Sequence, residues 1–401
     1  MVFALTTRSQ VRPHLVDTDR SRSIPAPPRR SRTVVHVTQS TETGVPHVVD
    51  GYVRSQRTAG WRVVVVCPGG TMAAMARASG AEVVTWSATR DPDPLGLLRE
   101  LVDLRAILRA VDPDVVHLHS AKAGLVGRML IRGRIPTLYM PHAWSWLAAT
   151  GTQRRLARGW ERTACRWSDV ICCCSEDERR EGTRAGVVGN LVVVPNDVDV
   201  EEIRRSAPAT RESARAALGV AAEDRLVVCC ARLAPQKGQE LLLRAWPRIL
   251  SAVGQARLSL VGGGPDEARL TAIAGAMPGI DLVGRATRAE SLAWIVASDV
   301  VVCPSRYEGS SLVPIEAAVL GRAVVATDVQ GMREGGAAAA RRVVPVDDAD
   351  ALADAIAGLL SHPDTREDLE AAALTCAAGM RGRARSTTQL LGIYDQLLHH
   401  A

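Results

Sequence analysis

The chain has 401 residues, too many for one ordinary core and enough for two domains, and its 47% hydrophobic and 23% charged residues exclude a low-complexity or largely disordered protein. Aromatics are 3% with a single Phe, so the interior must be built of Val, Leu, Ala and Ile, which suits a parallel sheet covered on both faces. The net charge of +6 calls for a negatively charged partner, and no apolar run approaches the ~20 residues of a membrane span.

Much of that charge lies in residues 1–32, where Arg8, Arg12, Arg20, Arg22, Arg29, Arg30 and Arg32 face only Asp17 and Asp19 among prolines and serines. Such a composition predicts a disordered basic extension, either in contact with an anionic membrane surface or without a role. Met1–Leu5 is too short for the apolar core of a signal peptide, so a cytoplasmic protein is expected, with the inner membrane face as a candidate periphery. The nine cysteines do not indicate a metal or disulfide framework. Cys172-Cys173-Cys174 and Cys229-Cys230 sit in strand-like runs that send neighbouring side chains to opposite faces, as small reduced core residues would.

From Thr33 the chain alternates strands and helices in the βαβ rhythm of a doubly wound sheet. Thr33–Thr38 is a strand, residues 39–46 a loop, Val48–Ala59 a helix and Arg62–Cys67 a second strand. In the first loop Gly44 offers open backbone to a diphosphate. Val115–His119 is a strand ending in His117-Leu118-His119, a spacing that invites a metal pair, but no carboxylate or cysteine nearby completes a site, and no metal is expected. Lys122 follows at a helix start, where a surface lysine would stand. Past the strand at 136–140, His142 is either placed to donate to a sugar oxygen or a leaving phosphate or is an ordinary loop residue. Trp144 and Trp146 either wall an acceptor pocket or pack the loop. Ser175 with Glu176, Asp177 and Glu178 reads as a helix cap with acids in its first turn. A polar stretch, 201–224, carries the chain into a second domain.

That domain opens with the strand Leu226–Cys230, followed by Arg232 and Lys237 in one strand-to-helix loop. The two cations either converge on a diphosphate, the guanidinium as a planar fork and the ammonium as a point charge, or remain solvated. Gly262-Gly263-Gly264 ends the next strand, and Gly284-Arg285 the one after it. The apolar run 299–304 then leads through Arg306-Tyr307-Glu308-Gly309-Ser310-Ser311 into a short helix, Leu312–Leu320. Loops at the carboxyl ends of such strands are where open α/β sheets bind ligands. Gly309, Ser310 and Ser311 offer uncrowded N–H groups and hydroxyls, while Glu308 and Glu316 are spaced to reach different parts of one extended ligand. Alternatively Ser311 caps the helix and the glutamates are solvated. Helices at 348–360 and 366–378 and an amphipathic one at 387–398 complete the chain.

The Glu-x7-Glu spacing of Glu308 and Glu316 after a short strand resembles the signature of retaining GT-B glycosyltransferases. Tyr307-Glu308-Gly309 with Pro314-Ile315-Glu316-Ala317, Arg232 with Lys237-Gly238, and His117-Leu118-His119 with Lys122-Ala123-Gly124 are similar to motifs of glycosyltransferase family four, the glycosyl transferases group 1 of bacterial type. The resemblance runs from Thr33 to the C-terminus. It implies an α/β fold of two Rossmann-like domains facing across a cleft: 33–200 on the acceptor side, 201–380 binding the nucleotide sugar, and 381–401 returning as a helix to the first domain. The implied activity is transfer of a hexose-type sugar from a nucleoside-diphosphate sugar to an acceptor hydroxyl, with retention and without metal or other cofactor. Glu316 would hold the ribose, Arg232 and Lys237 the diphosphate, and Ser311 and Leu312 would give N–H groups. Gly44, Gly262, Gly309 and Ser310 would let the ligand approach, the Arg285 loop would read the base, Glu308 and His142 would position the sugar, and Lys122 at the mouth of the cleft would meet an acceptor phosphate. Thr43-Gly44 in place of a glycine pair and Asp197 after Pro195-Asn196 depart from the family pattern. The acceptor would be a lipid-linked glycan or a small molecule in surface-glycan or secondary-metabolite synthesis, with no role for nucleic acid. A nucleotide-sugar epimerase of the same fold and a non-catalytic sugar-nucleotide-binding protein are the alternatives.

Overall fold

A computed structural model describes residues 31–42, 44–89, 94–334, 338–380 and 384–400. The basic extension expected at residues 1–32 falls almost wholly outside them, as does Thr43. The first half comprises β1 (Thr33–Thr38), α1 (Gly44–Thr58), β2 (Arg62–Cys67), α2 (Gly70–Ala78), β3 (Glu82–Thr85), α3 (Pro94–Val111), β4 (Val115–His119), α4 (Ser120–Ile131), β5 (Thr137–Met140), α5 (Gly151–Ala164), β6 (Val170–Cys173), α6 (Glu176–Arg184) and β7 (Leu191–Val193). Its strands form one parallel sheet in the order β3-β2-β1-β4-β5-β6-β7. Val35, Val37, Val64, Val66 and Leu118 fill one face and Val34, Val63, Val65, Cys172 and Cys174 the other, all buried. Two covered faces explain why these strands read as continuous Val runs rather than as an alternating pattern.

The second half begins with α7 (Val200–Ser206) and α8 (Arg211–Leu218), in the stretch expected to be only a polar connection. The Asp199 carboxylate accepts from Glu202 N and caps α7, Thr210 and Ser213 form a reciprocal capping box on α8, and Ile203 and Ala214 are buried. After them come β8 (Arg225–Cys230), α9 (Gln239–Ala252), β9 (Ala256–Val261), α10 (Glu267–Ala274), β10 (Ile280–Gly284), α11 (Arg288–Ala297), β11 (Val300–Cys303), α12 (Val313–Val319), β12 (Ala323–Thr327), β13 (Arg341–Val344), α13 (Ala349–Ser361), α14 (Pro363–Ala378) and α15 (Ala384–His400). Six parallel strands form the second sheet, β10-β9-β8-β11-β12-β13. Both sheets are Rossmann-like, with their first strands central and the order reversing beside them.

The last helix packs on the first half. Tyr394 OH lies 2.8 Å from His117 Nδ1, and Gln389 Nε2 donates to Val193 O at 2.8 Å. Among the described residues no helix is long and apolar enough to cross a membrane.

Candidate functional site

The carboxyl ends of the two sheets meet along the loop after β11. Gly309 touches the loop after β5 so closely that a Cβ there would lie 2.7 Å from Ala143 N and 2.8 Å from His142 C, which is why only glycine fits. Ser175 Oγ donates to Gly309 O at 3.0 Å and Asn196 Nδ2 to Ser310 O at 2.8 Å, so two polar side chains of the first half hold this loop's backbone. Leu312 packs 3.9 Å from where a Gly44 side chain would begin. Glu334 adds a third tie: its carboxylate accepts from Glu176 N at 2.7 Å and Asp177 N at 2.6 Å, capping α6 from the opposite half.

On the second half the cations and carboxylates are already paired. Lys237 Nζ donates to Glu308 Oε1 at 2.5 Å, and Ser305 Oγ donates to the same oxygen at 2.7 Å. Glu316, the expected ribose ligand, accepts from Arg288 Nη1. Arg285 Nη1 reaches across to Glu42 Oε1 at 2.6 Å, joining the loops after β10 and β1. Arg232 lies near Tyr307, its charge opposing the rise that burial imposes on the phenol's pKa. Gly262, at φ 138, brings the end of β9 against the loop after β8; a Cβ there would fall 2.1 Å from Ala231 O. Leu312 is the N-cap of α12 and supplies no side-chain cap, so the Ser311 hydroxyl is not used there.

The first half contributes a connected set of buried imidazoles. In the β1–β4 register His36 stands beside His117 and Thr38 beside His119, which puts the three rings on one face. His36 Nδ1 is 2.9 Å from His119 Nε2, His119 Nδ1 is 3.0 Å from His142 Nε2, and His142 Nδ1 is 3.5 Å from Cys174 Sγ. Gln56 on α1 closes the other end: Oε1 is 2.8 Å from His36 Nε2, and Nε2 donates to Tyr394 OH at 3.2 Å. Burial pushes His36 and His142 down to about 4 and holds His117 and His119 well below the ordinary imidazole range, so all four rings are neutral at pH 7.

The sequence profile described as "Glycosyl transferases group 1" matches residues 224–362, and "Glycosyltransferase Family 4" matches 43–202. A D-inositol 3-phosphate glycosyltransferase of Catenulispora acidiphila is 30% identical over 334 residues, 76% of this chain and 78% of that protein. The chain belongs to the group 1 glycosyltransferases. A GDP-mannose-dependent monoacylated alpha-(1-6)-phosphatidylinositol monomannoside mannosyltransferase of Corynebacterium glutamicum is 29% identical over 187 residues, which span 45% of this chain and about half, 49%, of that relative. In fold, Anabaena HepE, solved with UDP and glucose, superposes with a TM-score of 0.76 at 19% identity over 91% of this chain and all of that one.

Within this group 1 fold, Glu308, Gly309, Ser310, Ser311, Leu312, Lys237, Glu316, Gly44 and His142 gather at the junction of the halves, whereas Trp144, an expected acceptor residue, does not line it. Trp144 is fully buried, stacked on Trp146 at 4.7 Å, and its Nε1 donates to Glu178 O at 2.7 Å; it packs the loop core instead of walling a pocket. Lys122 Nζ is held by Glu100 Oε1 at 3.1 Å, an ion pair within the first half. His142 has both ring nitrogens facing protein partners. It also sits at φ 53 with Ala143 at φ 98, a strained turn. Glu178 accounts for that turn: its Oε1 accepts from Ala143 N at 2.7 Å and its Oε2 from Cys174 N at 2.6 Å. Burial raises its pKa to about 7 against the pull of those two N–H groups. Thus Glu178, expected as an acid in the first turn of a capped helix, is an internal brace. The Ser-x-x-Glu spacing flagged its position but not its partners. Arg288, His36 and Gln56 carried no signal in the linear chain.

Proposed function

We propose that the chain transfers a hexose-type sugar from a nucleoside-diphosphate sugar to an acceptor hydroxyl with retention and without metal. The observation that carries this reading is the Lys237–Glu308 pair seated beside Gly309, where the second half meets the His142 loop of the first. The donor's diphosphate takes Lys237 away from Glu308 and shares it with Arg232, which meets charge as the glycosidic bond breaks. Glu316, released from Arg288, accepts from the ribose hydroxyls, while Ser311 and Leu312 offer backbone N–H groups and Glu308 and His142 position the sugar.

With two cations facing the phosphates, the leaving charge needs no metal. Glu308 Oε1 carries both an ammonium and a hydroxyl, which suits a positioning carboxylate better than an attacking one. The step therefore runs on one face of the sugar. The bond from the anomeric carbon to the diphosphate oxygen breaks, the acceptor oxygen bonds to that carbon from the same side, and its proton passes to the leaving phosphate. The relatives named above act on an inositol phosphate and a phosphatidylinositol mannoside, which favours a polyol acceptor, free or lipid-linked, handled in the cytoplasm or at the inner membrane face.

Thermal shift with a panel of nucleoside diphosphates and their sugars tests the donor site: a ligand at 100 times its Kd stabilises by about 2.7 kcal/mol. One nucleotide class should raise the Tm of wild type and not of Arg232→Ala or Glu316→Ala. No shift with any member removes the reading. Product anomeric configuration by NMR, with a search for a covalent glycosyl-enzyme, tests retention on one face.

A further inference from the structure

We propose that Gln56, His36 and His119 are positioning residues that hold His142 in its Nε2–H form, leaving Nδ1 as a hydrogen-bond acceptor for a hydroxyl of the bound sugar. This rests on the reading of His142 as a sugar contact. The protonation follows from one amide. Gln56 Oε1 stands 2.8 Å from His36 Nε2, and an amide oxygen only accepts, so the His36 proton is on Nε2 and its Nδ1 is a bare lone pair. That lone pair faces His119 Nε2 at 2.9 Å, which must donate; His119 Nδ1 is then the acceptor 3.0 Å from His142 Nε2, which must donate in turn. His142 Nδ1 is left unprotonated.

Two further features fit this order. The rings have no charged alternative, because burial keeps each of them neutral. Among the described residues the group on His142 Nδ1 is the Cys174 thiol at 3.5 Å, a weak partner that also hydrogen-bonds the Glu178 carboxylate and that a sugar hydroxyl displaces. On the other arm Gln56 Nε2 donates to Tyr394 OH, whose proton goes to His117 Nδ1 at 2.8 Å, and the chain ends at His117 Nε2, buried and without a partner among the described residues. Reversing the amide would reverse every proton along both arms and turn His142 Nδ1 into a donor. A neutral acceptor at that point selects a sugar bearing a hydroxyl there and disfavours a carboxylate, whose oxygens bring no proton.

The test is 15N–1H NMR of histidine-labelled protein, with the His142 signals assigned by their loss in His142→Gln. Wild type should show Nδ1 unprotonated and Nε2 protonated, and Nδ1 should shift when a stabilising nucleotide sugar is added. Gln56→Leu should populate both tautomers, whereas Gln56→Glu, still an acceptor for His36, should keep the wild-type form. Among mono-deoxyfluoro donors, whose fluorine cannot donate, one position should lower wild-type kcat/KM by about tenfold, with the contrast falling below threefold in Gln56→Leu. A protonated Nδ1 in wild type overturns the proposal, as does an unchanged tautomer in a folded Gln56→Leu. A nucleotide sugar that raises the Tm yet leaves Nδ1 unmoved overturns it while sparing the donor site; the absence of any nucleotide binding removes both.

Discussion

Polar groups in the two halves are paired on opposite principles. In the loops after β8, β10 and β11, Lys237–Glu308 and Arg288–Glu316 are partly solvated ion pairs between charged partners that a ligand can exchange. Under β1 and β4 the partners are neutral, buried and bonded to one another in a chain from Gln56 to Cys174. The first arrangement holds charge for a substrate: each cation is partly exposed to an arriving ligand, and Ser305 still donates to the buried Glu308 carboxylate when Lys237 leaves. The second contributes rigidity, because each ring's proton is set by its neighbour and none can be removed without leaving a buried group unpaired.

Substituting each half separates the two. Lys237→Met should lower kcat by about 10²- to 10³-fold, the size expected of a lost charge on the departing phosphate, with a Tm close to wild type. His119→Ala should do the reverse to stability, costing about 3 kcal/mol in chemical denaturation as His36 and His142 lose partners. Equal damage to both properties in either variant would erase the contrast.

Acid probes the histidine half without mutation. The folded-state pKa of His36, about 4, lies below the ordinary value of 6.5, so its contribution is complete above pH 6.5 and is lost as pH falls toward 4. That amounts to about 3 kcal/mol for His36, and His36→Leu should flatten this limb of the stability curve. Glu178 works in the opposite direction. Its raised pKa of about 7 makes its contribution full below pH 4.5 and lost as pH rises through 7, and Glu178→Gln should remove that alkaline limb.

Smaller effects belong to the junction. Glu334→Gln should cost about 1 kcal/mol and open the two halves measurably in small-angle scattering, since it weakens the cap on α6. Arg285→Ala, which removes an exposed bridge to Glu42, should stay within about 0.5 kcal/mol of wild type in denaturant.

Local pattern in the chain determined the fold class: Val-rich runs separated by amphipathic stretches specify two covered parallel sheets, and Arg232, Lys237 and Glu308 lie in loops that follow a strand, with Glu316 in the first turn of the helix after one, where such sheets bind ligands. Trp144 was misplaced as an acceptor residue because exposure depends on what packs over a loop, and here Glu178 and Trp146 do. Residues 201–224 looked like a connection because their apolar positions are few, yet Ile203 and Ala214 bury enough against the second half to keep two capped helices. Only the tertiary structure decided which groups meet. His36 reaches His119 through a β1–β4 pairing 83 residues apart, and Tyr394 joins them from α15, because strand register and helix docking are set by burial across the whole fold rather than by neighbours in sequence.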